Sequence, residues 1–434
     1  MHGWAWLTGL SLVHGPLHIA LLAAAAVGLV WLLLLRRDRW WWRRRLPLAV
    51  GIAAALVVLL VIALAVLKPW PDPLPLLVLL CIGTGFLGLA LLVLGWGRAR
   101  WWGRALAPLA AALVVLGAAD GVDTVFGAYP TVATAVQLPP ADHVSAATVL
   151  GHPAATTTAP TIQDWRPPAT MPQTGAVTEV AIPPTASGFA ARHAWIYVPP
   201  AYLTPSHPLL PVVFLIGGQP GGPRDWLDGG QLAVQMDHWA AAHSGLAPVV
   251  VMPDAIGSAL GNPLCMDSAL GHVDTYLTSD VVSWVTSHLQ VDPVHAHWAV
   301  GGFSYGGTCA LQLAVAHPAL FPNFLDISGQ QSPTLGGHAR TVAATFGGNQ
   351  QAFAAVDPLE ELARHPEPGS TGYIAVGAQD TAYRPGQQIV AAAARAAGMS
   401  ITYREFPGGH DWGVWRAAFT ESLPWLTARM GLPQ

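Results

Sequence analysis

The first 127 residues contain four apolar stretches, at about 14–35, 46–67, 74–96 and 105–127. Each is near the roughly 20 residues that an α-helix needs to cross a hydrocarbon core. Four such segments in succession leave little choice: this part of the chain is expected in lipid. Composition agrees, since 434 residues that are 53% hydrophobic and only 10% charged are too apolar for an average soluble protein.

The flanks of the stretches suggest how they are oriented. Leu17 to Leu35 runs into Arg36-Arg37-Asp38-Arg39-Trp40-Trp41-Trp42-Arg43-Arg44-Arg45, and the third stretch is followed by Arg98, Arg100 and Arg104 with Trp101 and Trp102. Lys68-Pro69-Trp70-Pro71-Asp72-Pro73, between stretches two and three, carries little positive charge. The positive-inside rule then puts both arginine loops in the cytoplasm, and the N-terminus and everything after residue 127 outside. A cleaved signal peptide fits less well, because three further apolar stretches follow the first. The fourth stretch carries Asp120 and Asp123 near its outer end; failure of this span to insert would leave the rest of the chain in the cytoplasm. No charged residue lies deep in the first three spans, so transport or proton relay has no support and membrane anchoring is the expected role.

Residues 128–175 are rich in Pro, Thr and Ala, as in Pro139-Pro140 and Thr156-Thr157-Thr158-Ala159-Pro160, and read as an extended linker. Over 176–434, short β-rich runs alternate with amphipathic stretches. Strands are expected at Val177–Ile182, Ala194–Val198, Val212–Ile216, Val249–Met252, Trp298–Gly301, Phe324–Ile327, Tyr373–Val376 and Ile401–Phe406. Helices are expected near 231–243, 275–289, 305–317, 386–397 and 413–429. That alternation predicts an α/β domain: a mainly parallel sheet with helices on both faces. A formal net charge of -4 gives no reason to expect a nucleic-acid partner. Cys81, Cys265 and Cys309 show no metal-ligand spacing, so neither a metal nor another cofactor is implied. Cys81 and Cys309 read as small core residues, with a Cys265–Cys309 disulfide left open.

The strand ending at Val300-Gly301 leads into Gly302-Phe303-Ser304-Tyr305-Gly306-Gly307 and then a helical stretch. This is G-x-S-x-G in the strand–turn–helix setting that a nucleophile elbow requires. A serine hydroxyl is a poor nucleophile, so it needs a sharp turn where a base reaches it and a backbone N–H faces the developing oxyanion. Downstream, Gly408-Gly409-His410-Asp411-Trp412 lies between the last expected strand and the last helix. Of 17 histidines, His410 is set apart by that position. Asp380 ends the run Tyr373 to Gln379 and precedes His410, giving the chain order Ser304, Asp380, His410. Asp326, Asp357 and Glu360 are the other candidates for the acid. After Val212–Ile216 comes Gly217-Gly218-Gln219-Pro220-Gly221-Gly222; here the oxyanion N–H groups are assigned to Gly218 and Tyr305, with Gln219 as the rival. A phosphate loop is disfavoured because no Gly-Lys-Ser/Thr follows.

Over about 190–430 these residues resemble a family of esterases that includes the esterase D type and the mycobacterial mycolyltransferases, or fibronectin-binding antigens. Besides the elbow, the similar stretches are Val249-Val250-Val251-Met252-Pro253, Thr275 to Asp280 with Trp284, Ala316-His317-Pro318 and Gly409 to Trp412. The resemblance implies an α/β-hydrolase fold, Ser304 as acyl-accepting nucleophile, His410 as base, Asp380 as acid, and Gly218 and Tyr305 at the oxyanion site. Ile216 stands where the mycolyltransferases have an acidic residue, and Asp380 where they have a glutamate, so sugar or mycolate specificity does not carry over. The expectation is a membrane-anchored serine hydrolase, extracytoplasmic and acting on lipid or lipid-linked esters through an acyl-enzyme. An acyltransferase with cell-envelope acceptors is the rival enzyme. A catalytically silent binding or scaffold module is the rival from another class. Substrate-binding residues and oligomeric state are not assigned.

Overall fold

The computed structural model describes residues 5–35, 38–67, 73–97, 101–150 and 160–434. The chain divides into two compact units, Met1–Leu138 and Pro139–Gln434.

The first unit is helical. α1 (Gly15–Leu34), α2 (Leu46–Leu67), α3 (Leu76–Trp96) and α4 (Trp101–Phe126) follow the four apolar stretches, and a π-helical turn, Trp41–Arg45, leads into α2. All four are long and apolar enough to cross a membrane by length and composition. Their large side chains mostly face outward, including Val27, Val58, Leu59 and Val93, as lipid-facing side chains do. α4 packs closely on α1 through small residues: a Cβ on Gly117 would lie 2.3 Å from the Ala25 Cβ. Asp120, whose position made the fourth stretch the doubtful one, is 6% exposed and faces α1. Its Oδ2 lies 2.8 Å from His18 Nδ1. A carboxylate in a helix of this kind is tolerated when another element supplies a partner, and α1 supplies one. Arg36, Arg37, Arg98, Arg100 and the Lys68–Asp72 loop lie outside the described residues.

In the second unit, β1 (Ala176–Val180), β2 (Ala194–Val198), β3 (Val212–Ile216), β4 (Val249–Met252), β5 (Ala299–Phe303), β6 (Asn323–Ile327), β7 (Thr371–Gly377) and β8 (Ser400–Phe406) form one sheet. Its order is β1-β2-β4-β3-β5-β6-β7-β8. β2 pairs antiparallel with β1 and β4, and β3 through β8 pair in parallel. All five residues of β2, β3, β5 and β6 are buried. Such unbroken burial is what strands covered on both faces require. α5 (Leu232–Ala242), α6 (Val281–His288), α7 (Tyr305–Ala316), α8 (Pro358–Arg364), α9 (Arg384–Ala396) and α10 (Trp412–Arg429) complete the layers. The core runs through Phe214, Trp298, Phe321 and Phe324, all fully buried.

Three features differ from the sequence expectation. Residues 128–175 are not an extended linker throughout. Val144 N–H donates to the Val177 carbonyl at 2.9 Å, Val149 and Trp165 enter the core, and Trp165 Nε1 donates to the Ser244 carbonyl at 2.9 Å. Widely spaced apolar residues anchor this segment without any periodicity to announce them; residues 151–159 lie outside the described residues. The helix expected over 275–289 contains a π turn at Tyr276–Asp280. There the buried Asp280 carboxylate accepts bonds from Thr185 Oγ1, Ala186 N, Ser187 N and Ser187 Oγ, at 2.6 to 3.0 Å, which outweigh burial and hold its pKa below the usual carboxylate range. Third, helices His338–Phe346, Gln350–Ala354 and α8 occupy a stretch that periodicity left unassigned.

Cys265 and Cys309 form a disulfide with Cα atoms 5.4 Å apart, joining the segment after β4 to α7. Closing a loop of 44 residues is worth at most about 4 kcal/mol in the chain-entropy account. Cys309→Ser in the full chain is expected to lower the thermal midpoint. Alkylation of the denatured wild type should modify one thiol, Cys81, before reduction and three after it; three before reduction would show that the pair does not form.

Candidate active site

β5 ends at Phe303, and Ser304 adopts φ 54° and ψ -120° before α7 begins at Tyr305. That conformation is sparsely populated for a side-chain-bearing residue and is held from two directions. Ser304 N–H donates to the Ile327 carbonyl at the end of β6 (2.8 Å), and the Ser304 carbonyl accepts from Gly307 and Thr308. The turn is sterically possible only with glycine at its crossing point: a Cβ on Gly306 would lie 2.1 Å from the Ile216 carbonyl oxygen.

The structure brings Ser304, His410 and Asp380 together. His410 Nε2 lies 2.9 Å from Ser304 Oγ, and His410 Nδ1 lies 2.8 Å from Asp380 Oδ2. Asp380 sits three residues beyond β7, and His410 four beyond β8, so adjacent parallel strands deliver both to one end of the sheet. Asp411 fixes the histidine loop by capping α10 through Val414 N–H (3.1 Å) and accepting from Gly409 N–H (2.8 Å). The other candidate acids are elsewhere. Asp326 is fully buried, accepts from Gly329 N–H and Gln387 Nε2, and is pushed up to about 6 by that burial. Asp357 caps α8, and Glu360 belongs to that helix.

Gly218 follows β3, whose Ile216 pairs with Gly302 of β5, so the two turns that carry Gly218 and Tyr305 leave neighbouring strands at the same end. Among the described residues neither amide N–H donates a hydrogen bond, which is the state an oxyanion donor needs before substrate arrives. The Gln219 side chain donates to the Leu260 carbonyl at 3.2 Å. The Tyr305 side chain points away from this work: its buried hydroxyl donates to the Ala255 carbonyl at 2.9 Å, and burial pushes its pKa up.

Sequence reasoning missed the groups that hold these residues. Asp225 Oδ2 accepts from Gly222 N–H at 2.7 Å. Arg192 donates to the Gly221 carbonyl at 3.0 Å while pairing with the buried Asp254 at 2.8 Å, so the Gly217–Gly222 turn is anchored on both sides. Tyr383 stacks on His410 with ring centroids 4.1 Å apart, and Trp415 meets it edge-on at 5.0 Å. Among the described residues no group of acidic, His and Cys side chains could hold a metal ion.

The family model described as "Putative esterase" matches residues 190–426, more than half of the chain, and the protein belongs to that family. Membership assigns it ester chemistry. An uncharacterized protein of Corynebacterium glutamicum is 35% identical over 375 residues, covering 84% of each chain. That share of 434 residues is about 365, roughly 120 more than lie between residue 190 and the C-terminus, so the likeness extends into the helical unit. A solved ferulic acid esterase superposes with a TM-score of 0.50 at 18% identity, covering 61% of this chain and all of its own, and shows the α/β-hydrolase fold. S-formylglutathione hydrolase of Agrobacterium tumefaciens (TM-score 0.49, 18% identity, 60% of this chain and 98% of its own) and MPT51 of Mycobacterium tuberculosis (0.44, 18%, 58% and 97%) are further neighbours.

Burial raises the Asp225 carboxyl to about 7, partly offset by Gly222 N–H. Its folded value thus exceeds its unfolded one, and the native state holds the proton more tightly. The stability this contributes is complete below about pH 4, declines as pH rises through about 7, and is constant beyond. Asp225→Asn lacks the titration but keeps an acceptor for Gly222. The thermal midpoint of the variant relative to wild type is therefore expected to rise between pH 4 and pH 7. A difference independent of pH would show that Asp225 does not titrate there.

Proposed function

We propose that the protein is a membrane-anchored serine hydrolase that cleaves carboxylic esters of lipids or lipid-linked molecules outside the cytoplasm. The observation that carries this reading is the continuous hydrogen-bonded path from Ser304 Oγ through His410 to Asp380 at the elbow of an esterase-family domain.

In the mechanism, His410 Nε2 takes the Ser304 hydroxyl proton as Oγ attacks the ester carbonyl. Asp380, accepting a hydrogen bond from Nδ1–H, fixes the tautomer and stabilises the imidazolium. The oxyanion is met by the N–H groups of Gly218 and Tyr305, the latter also the first amide of α7, where the helix dipole favours negative charge. His410 returns its proton to the leaving alcohol, and an acyl-Ser304 remains. Water, deprotonated by His410, then adds to the acyl carbon; collapse of that intermediate releases the acid and restores Ser304.

Two observations support the location. The positive-inside rule applied to the arginine-rich loops puts the C-terminal domain outside. The Cys265–Cys309 disulfide belongs to an oxidising compartment. The lipid class follows from the tether, because a domain covalently joined to membrane spans works at high effective concentration over a bilayer surface.

In intact cells a membrane-impermeant fluorophosphonate should label wild type but neither Ser304→Ala nor His410→Ala. Ester hydrolysis by Ser304→Ala should fall by at least about a thousandfold. Labelling only after permeabilisation would overturn the orientation, and labelling of Ser304→Ala the assignment of the nucleophile. Purified membrane lipids hydrolysed equally by wild type and Ser304→Ala would remove the lipid substrate.

A further inference from the structure

We infer that Tyr383 and Trp415 form an aromatic clamp that positions the His410 imidazole for both of its hydrogen bonds at once. This inference rests on the proposed role of His410 as the base.

Asp411 fixes the backbone of the loop that carries His410, but those contacts do not reach the imidazole ring itself. His410 stands on the loop between β8 and α10 behind Gly408, which has φ 129°, and Gly409, and 26% of its side chain is exposed. The final torsion of a histidine side chain is broad and roughly two-fold. A ring free to turn about it would lose its alignment with Ser304 on one side and Asp380 on the other. Nothing in the loop's own backbone prevents that rotation.

The flanking rings supply the restraint. Tyr383 lies over the face of the imidazole at 4.1 Å with the planes 19° apart, and Trp415 stands at 87° to it at 5.0 Å. Both are 6% exposed, so both are held by the protein. Tyr383 acts on the acid as well. Its N–H donates to Asp380 Oδ1 at 3.0 Å, leaving Oδ2 to accept from His410 Nδ1. One residue thus orients the base through its ring and the acid through its backbone. Trp415 links the same imidazole to the nucleophile side, because it stacks on Phe303 at 4.4 Å. The Phe303 ring in turn lies against Gly218, where a Cβ would be 2.5 Å away. The residue before the serine, the oxyanion turn and the base therefore share one aromatic wall. Trp415 also packs with Trp412, so its truncation would disturb the core; Tyr383 is the cleaner probe of positioning.

The test uses the full chain in detergent, with p-nitrophenyl butyrate and a fluorophosphonate as probes. Tyr383→Phe, which keeps the ring, should hold kcat within about threefold of wild type, while Tyr383→Leu should lose roughly tenfold to a hundredfold in kcat, the scale of a small misplacement of a reacting group. KM should stay within about twofold in both. The far-downfield proton resonance of the His410–Asp380 hydrogen bond should persist in Tyr383→Phe and broaden or vanish in Tyr383→Leu. If Tyr383→Leu does not fold, Tyr383→Met, similar in bulk and without a ring, takes its place under the same expectations. A folded Leu or Met variant with the kcat and resonance of wild type would overturn the clamp, as would a Phe variant as impaired as the Leu one. Wild type inert to both probes would overturn the hydrolase reading itself, which separates the two failures.

Discussion

The active end of the second unit depends on one strained residue. Ser304 sits at φ 54°, and its N–H is bonded to the Ile327 carbonyl of the neighbouring strand. Because β5 is paired in parallel with both β3 and β6, the turn at its end is flanked by the turns that follow them. The crossing of β3's last carbonyl beneath Gly306 leaves no space for a side chain there. The strain at one residue is thus maintained by two strands and a helix, which is the condition under which such conformations persist. The hydroxyl is fixed in space before any substrate arrives. Preorganisation of this kind lets fixed dipoles act on a developing charge without reorganising.

Much of this was legible in the sequence, for identifiable reasons. The strands Ala194–Val198, Val212–Ile216 and Val249–Met252 matched to the residue, because doubly covered strands are short, wholly apolar runs bounded by Pro, Gly or charge. Ser304, Asp380 and His410 could be picked out because each follows the end of a strand, in the chain order that the elbow motif requires. What was not legible depends on contacts far apart in sequence. Tyr383 and Trp415 are ordinary aromatic residues until the fold lays them against His410. Asp225 looks like a surface carboxylate until Gly222 turns its N–H onto it. The segment around Val149 and Trp165 carries too few apolar residues for any period, yet these two are buried. The π turn at Tyr276–Asp280 could not be foreseen from helical spacing, since its distinguishing feature is a carboxylate satisfied by residues 93 to 95 positions earlier.

The helical unit obeys the same logic in a different solvent. In the lipid setting proposed for it, no hydrophobic gain distinguishes one helix partner from another, so close approach of small residues and paired polar groups must do so. Gly117 against Ala25 is an instance of the first, and His18 with Asp120 of the second. Asp120 had counted against membrane insertion when read alone. Paired with His18 it becomes a contact that fixes which face of α4 meets α1, since no other rotation of α4 would bring the carboxylate to a partner on that helix.

A soluble esterase has no use for the helical unit, and the Corynebacterium glutamicum relative bears on why this chain has one. Its likeness extends upstream of the esterase match and into the helical unit. A bare anchor needs only one apolar helix of about 20 residues, whereas four among the described residues meet that criterion. Four spans with glycine-mediated packing and an internal His–Asp contact carry more sequence constraint than tethering demands. That surplus makes the helical unit a folded component in its own right, one whose internal contacts are as specific as those around Ser304.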